Sequence, residues 1–154
     1  MKTPRLRTSL DASPVHLLHR AGQFAAELFA DEMGEEGLTP RQYAVLKTIA
    51  ENEGLSQTGL VERTGIDRST LADVVRRMQK KGLIQRRRTK QDARAYAVKL
   101  SEAGWNALKS ADPGASRVDE KLLAALPERR RQEFIDSLVI IMQAASPEER
   151  EEAA

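Results

Sequence analysis

Residues 64–100 read TGIDRSTLADVVRRMQKKGLIQRRRTKQDARAYAVKL. Thr64-Gly65 interrupts the helical pattern before it, and Asp67 is placed to cap a following helix by accepting from its free N–H groups. Ile66 before the cap and Leu71 after it suit a hydrophobic staple. Leu71, Val74, Val75 and Met78 recur at helical spacing and predict the buried face. The opposite face carries Arg68, Ser69, Asp73 and Arg76, flanked by Thr70 and Arg77. Gly82 falls where a residue just past a helix end would. Leu83-Ile84 enter a strand, and Ala95 to Leu100 return with Tyr96, Val98 and Leu100 on one face. Between the strands sit Arg86, Arg87, Arg88, Lys90 and Arg94, opposed only by Asp92. That connection is too long for a two-residue hairpin turn and is expected to project as a basic tip.

Upstream, Ser56 opens a short helix with Leu60 and Val61 inward, and this helix with the next predicts a helix-turn-helix. Thr39, Pro40 and Gln42 form a capping box with proline in the first turn. Leu38 staples onto Tyr43, and Val45, Leu46 and Ile49 continue the helix inward. Ser13-Pro14 starts a long first helix with an apolar stripe of Leu17, Leu18, Ala21, Phe24, Ala25 and Leu28, ended by Gly34 and Gly37. Downstream, Ser101 caps a fifth helix, with Leu100 and Trp105 at stapling positions. Asp112-Pro113-Gly114 is expected to kink or break it. Pro127 starts a last helix containing Phe134, Ile135, Leu138, Ile141 and Met142. These are more apolar residues than one exposed face should leave uncovered, and a two-fold copy of the chain would cover them.

The chain of 154 residues is one domain's worth, and its formal charge is only +2. Distribution carries more information than the sum. Residues 76–99 are strongly basic, whereas DEMGEE at 31–36 and PEEREE near the C-terminus are acidic, which gives the field one attractive side. With no cysteine, disulfides, thiolate metal sites and thiol redox sensing are excluded. No phosphate-binding glycine loop or HExxH arrangement points to an enzyme, and no metal or cofactor is expected. His16 and His19 alone make a weak metal pair. Neither an export signal nor a spanning apolar run is visible, so a cytoplasmic protein with no membrane partner is expected.

The order of elements, with the strings LTPRQYAVL, SQTGLVERTGIDRSTLADVVRRM, KGLIQRR and D-A-R followed by VKLSEAG, resembles the MarR family of bacterial winged-helix regulators from about residue 12 to about residue 143. The resemblance implies a mainly α fold with a minor β component: a winged helix-turn-helix (38–100) between N- and C-terminal dimerisation helices (12–33 and 101–145), all one MarR-type domain over 1–154. It implies a homodimeric transcriptional regulator that binds a palindromic double-stranded DNA operator. A repressor released by a small aromatic or anionic effector is expected, an aromatic acid or its thioester being the expected kind. Family wings often carry two arginines after the aspartate; here Ala93 takes the first place, which leaves Arg94 and the arginines at 86–88 to supply the minor-groove contact. A winged-helix module that binds protein without specific DNA recognition is the competing expectation, and it would not require the arginine-rich tip.

A polar, cationic helix face fits a major groove, and a basic tip fits a neighbouring minor groove. The expected DNA-contacting residues are Gln57 and Thr58 at the third helix, Arg68, Ser69, Thr70, Asp73, Arg76 and Arg77 on the fourth, and Arg86, Arg88, Lys90, Asp92 and Arg94 in the wing. Arginine can donate two hydrogen bonds to guanine, so Arg68 and Arg76 are the best base readers. Asp73 either accepts from a cytosine amino group or orients Arg76 or Arg77. Asp92 is expected to direct Arg94 into the minor groove. For the effector, His16, His19, Arg20 and Phe24 on the first helix and Arg41 and Tyr43 on the second offer cations and rings suited to an aromatic carboxylate.

Overall fold

The computed structural model describes residues 8–88 and 96–145. After a short 3-10 turn at Ser9–Ala12 the chain forms α1 (Pro14–Met33), α2 (Pro40–Glu51), α3 (Gln57–Thr64) and α4 (Arg68–Lys80). The strands β1 (Ile84–Arg88) and β2 (Tyr96–Leu100) follow, then α5 (Glu102–Leu123) and α6 (Glu128–Gln143). The chain divides into one compact unit running to Val118 and a second beginning at Asp119.

In the first unit the helix ends follow from their sequences. Ser13 Oγ accepts from the His16 amide at 3.4 Å. Thr39 and Gln42 close a reciprocal capping box at 3.2 and 3.1 Å. Ser56 Oγ accepts from the Gly59 amide at 3.0 Å, and Ser101 Oγ from the Gly104 amide at 3.0 Å. Each bond satisfies a donor that the first helical turn leaves free. The core beneath these helices gathers Val45, Leu46 and Ile49 of α2, Leu60 of α3, Leu71, Val75 and Met78 of α4, Ile84, Val98 and Leu100 of the strands and Leu108 of α5. A smaller cluster joins Phe29 of α1 to Ala115 and Val118 of α5.

The two strands pair antiparallel, with Ile84 opposite Leu100, Arg86 opposite Val98 and Arg88 opposite Tyr96. Arg86, Arg87 and Arg88 therefore belong to β1 and not to the projecting loop in which the sequence places them. A solvated two-stranded ribbon needs apolar residues only where it meets the core, here at Ile84, Val98 and Leu100. A third segment joins the sheet: the Val98 amide donates to the Leu55 carbonyl at 3.0 Å, and Ser56 bridges Ala97.

α5 runs unbroken through Pro113, contrary to the expected interruption. Proline removes one helical N–H and leaves the carbonyl four residues earlier without its donor. Pro113 and Lys109 both lie on the exposed side of α5, where water can take that carbonyl, while Ala111, Gly114, Ala115 and Val118 hold the buried side. At the start of α5, Gly104 is buried, and a β-carbon there would come within 2.1 Å of the Leu83 carbonyl oxygen. Only glycine lets α5 pass this close to the turn that leads from α4 into the wing.

The second unit comprises the end of α5 and α6, joined by a turn whose Leu126 carbonyl accepts from Arg131 Nε of α6 at 3.2 Å. α6 has no buried residue, and Ile135, Val139, Ile140, Ile141 and Met142 are all exposed. In the first unit Val15, Leu17, Leu18 and Phe24 of α1 are likewise exposed. Among the described residues no helix is long and apolar enough to cross a membrane.

Candidate nucleic-acid interface

Gly65 ends α3 in the left-handed conformation (φ 67°), which a residue with a β-carbon would resist, and its amide closes on the Val61 carbonyl at 2.9 Å. Two residues later Asp67 caps α4: its Oδ1 accepts from the Thr70 amide and from the Ser69 hydroxyl, each at 2.9 Å. Hydrogen bonds from Thr70, and then from Ser69, hold the Asp67 carboxyl down to about 2. At the far end the Leu83 amide donates to the Met78 carbonyl and the Gly82 amide to the Gln79 carbonyl, both at 2.9 Å. That pair of bonds is a Schellman closure. α4 is thus fixed at both ends, and Leu71, Val74, Val75 and Met78 are buried as the spacing predicts.

What remains outside is a cationic face. Arg68, Ser69, Arg76 and Arg77 are exposed, with Thr70 and Asp73 half-buried at its edge. Asp73 pairs with Arg76 and, at 2.8 Å through its other oxygen, with Arg77. Arg76 first, and Arg77 after it, hold the Asp73 carboxyl below the usual carboxylate range. Asp73 thus stands in ion pairs with both of the arginines it is expected to orient. The Ser69 hydroxyl donates to Asp67, so it is left to act toward another molecule mainly as an acceptor.

The wing is braced against α3. Arg86 donates to the Gln57 side chain at 2.9 Å, joining β1 to the first turn of α3 across 29 positions of sequence. Nothing in the sequence signals this pairing. Arg88 lies over the Tyr96 ring, 5.9 Å from its centroid. Thr58 is exposed beside Gln57. Lys90, Asp92 and Arg94 lie outside the described residues.

The residues expected to meet an effector are more scattered. His16, Arg20 and Phe24 follow one another at four-residue spacing along α1 and so share a face, with Phe24 48% exposed. His19 and, in the first turn of α2, Arg41 are exposed. The Tyr43 ring lies 5.8 Å from that of Phe29, and its hydroxyl donates to Asp112 at 2.7 Å. Lys47 reaches the same carboxylate at 3.1 Å. Tyr43 first, then Lys47, keeps Asp112 below the ordinary carboxylate range. The sequence points to Asp112 only as part of an expected helix break and does not signal its pairing with Tyr43 and Lys47, because a link between α2 and α5 leaves no local pattern.

These elements define a winged helix-turn-helix with a cationic second helix. The sequence profile of the MarR family matches residues 36–95. A putative transcriptional regulatory protein for the hcr operon of Thauera aromatica is 36% identical over 121 residues, which span 77% of this chain and 73% of that protein. The PcaV transcriptional regulator from Streptomyces coelicolor, solved with its natural ligand, is similar at 32% identity and a TM-score of 0.83 over 92% of this chain and 99% of that one. The transcriptional repressor CouR, solved on a 23-mer DNA duplex, is similar at 26% identity and a TM-score of 0.81, over 91% and 99%. The chain belongs to the MarR family of winged-helix transcriptional regulators, a family of regulators and not of enzymes.

Proposed function

We propose that this protein is a dimeric repressor that reads a palindromic double-stranded operator with α4 in the major groove and its wing along the adjoining backbone and minor groove. The observation that carries the reading is the division of α4: its apolar face is wholly committed to the core, and its other face holds three exposed arginines. Arg68 and Arg76 read base edges, Gln57 and Thr58 contact phosphate, and Arg86 and Arg88 follow the backbone toward the minor groove, with Lys90, Asp92 and Arg94 at the tip. The uncovered apolar residues of α1 and α6 are the surfaces that a second copy covers, and a two-fold pair sets two α4 helices about one duplex turn apart. CouR on its duplex and PcaV with its ligand support both halves of the reading, DNA and effector. The effector is an aromatic acid or its thioester, held by His16, His19, Arg20, Phe24, Arg41 and Tyr43, and it releases DNA by favouring a dimer with wrongly spaced α4 helices.

The test is fluorescence anisotropy of a labelled operator duplex over a salt series. Wild-type binding should weaken steeply as salt rises. Arg76→Ala should cost about 1–3 kcal/mol and relax preference at the base it reads, with the dimer intact. Specific affinity that Arg76→Ala leaves untouched would remove α4 from the interface, and a salt-independent signal would remove the phosphate contacts.

A further inference from the structure

The ribbon has a second face, which carries Arg87 away from Arg86 and Arg88 and which the DNA contacts proposed above leave unused. Arg87 stands opposite Ala97, and Lys99 lies two residues further along β2, so these three side chains share the face away from Arg86, Arg88 and Val98. On this side a cavity of about 230 Å³ opens among Ile49 of α2, Glu53 in the turn that follows it, Arg87, Ala97 and Lys99 of the ribbon, and Trp105 in the first turn of α5. Ile49 makes a buried apolar floor. Trp105 is the chain's one tryptophan and stands 48% exposed at the edge. A large ring left half-open beside cations is an unspent binding surface. Among the described residues Arg87 and Lys99 have no ion pair and Glu53 is the one carboxylate lining the hollow, so the described part of its rim is net positive. The hollow owes its depth to Ala97, where a strand would ordinarily carry a larger side chain.

We infer that this hollow is a second small-molecule site, on the reverse of the wing, for a flat apolar body bearing one carboxylate. The ring lies against Trp105 and Ile49 while Arg87 and Lys99 hold the carboxylate through charge-assisted hydrogen bonds. The site is separate from the effector residues of α1 and does not depend on DNA binding. Because its walls come from α2, the ribbon and α5, an occupant ties the wing to the helices behind it. It alters DNA affinity to the extent that it prefers one setting of the wing.

Trp105 emission reports occupancy directly. The full chain is titrated with benzoate, benzamide and benzylamine at constant ionic strength, followed by Trp105 emission and by the amide resonances of Gly54, Ala97 and Val98. Benzoate should give a saturable change in both signals, benzamide should bind at least about tenfold more weakly, and benzylamine should give none. Arg87→Gln with Lys99→Gln should weaken benzoate by about tenfold or more, and both side chains are exposed, so the fold is kept. Ala97→Leu should fill the hollow and abolish the response. Absence of a saturable benzoate signal overturns the proposal, as does benzylamine binding as well as benzoate, or an undiminished response in the double variant.

Discussion

α4 and α6 are both amphipathic helices, and the structure treats them in opposite ways. α4 buries its whole apolar stripe, Leu71 and Val75 to completion, and turns a charged face outward. α6 leaves Ile140 65% exposed and buries nothing. The difference lies in where the complementary surface comes from. For α4 it is supplied by α2, α3 and the ribbon of the same chain. Among the described residues α6 has none that is buried, and under the proposal above a second copy supplies the missing surface. Truncating each stripe should therefore have different consequences.

The largest effect is expected at α4. Leu71→Ala should lower unfolding free energy by about 2–5 kcal/mol, measured by urea denaturation, because the cavity lies in a closed core. Ile140→Glu on α6 should leave the subunit's helix content in place but convert a dimer to monomers in sedimentation velocity, at a cost to association of about 2 kcal/mol or more. A variant that still sediments as a dimer would break the contrast. So would a Leu71→Ala variant as stable as wild type.

A smaller effect is expected on the outward face of α4. Asp73→Asn removes the charge that holds Arg76 and Arg77 and should raise affinity for random duplex several-fold while steepening the salt slope, read by anisotropy. Unaltered random-duplex affinity would mean that the clamp does not restrain these arginines. The smallest effect is at the cap. With its carboxyl held down to about 2, against 3.8 for an unconstrained aspartate, Asp67 stabilises α4 fully above the higher value and loses that contribution as pH falls toward the lower one. Asp67→Asn keeps an N-cap acceptor but cannot titrate. Its thermal midpoint should therefore fall less than that of wild type on acidification through this window, and parallel pH profiles would dismiss the linkage.

What was legible in the chain follows the range of the interactions involved. Caps at Ser13, Thr39, Ser56, Asp67 and Ser101, the closure at Gly82 and the buried face of α4 each depend on residues within a few positions of one another. The local string therefore carries the whole instruction. The extent of β1 is not legible in the chain because its arginines lack the apolar alternation that marks a half-buried strand. The break expected at Pro113 failed because the burial of Ala111, Gly114 and Ala115 outweighs one missing hydrogen bond that faces water.

By itself the sequence determined six helices, a basic ribbon and the polarity of each helix face, since periodicity and capping are short-range physics. Only the tertiary structure decided that Arg86 meets Gln57 while Arg87 turns to the opposite face, and that Tyr43 and Lys47 converge on Asp112. It also decided that the Leu55 carbonyl is taken up by β2. These pairings join residues tens of positions apart, and their geometry is fixed by how helices and ribbon pack around a shared core, which no local pattern encodes.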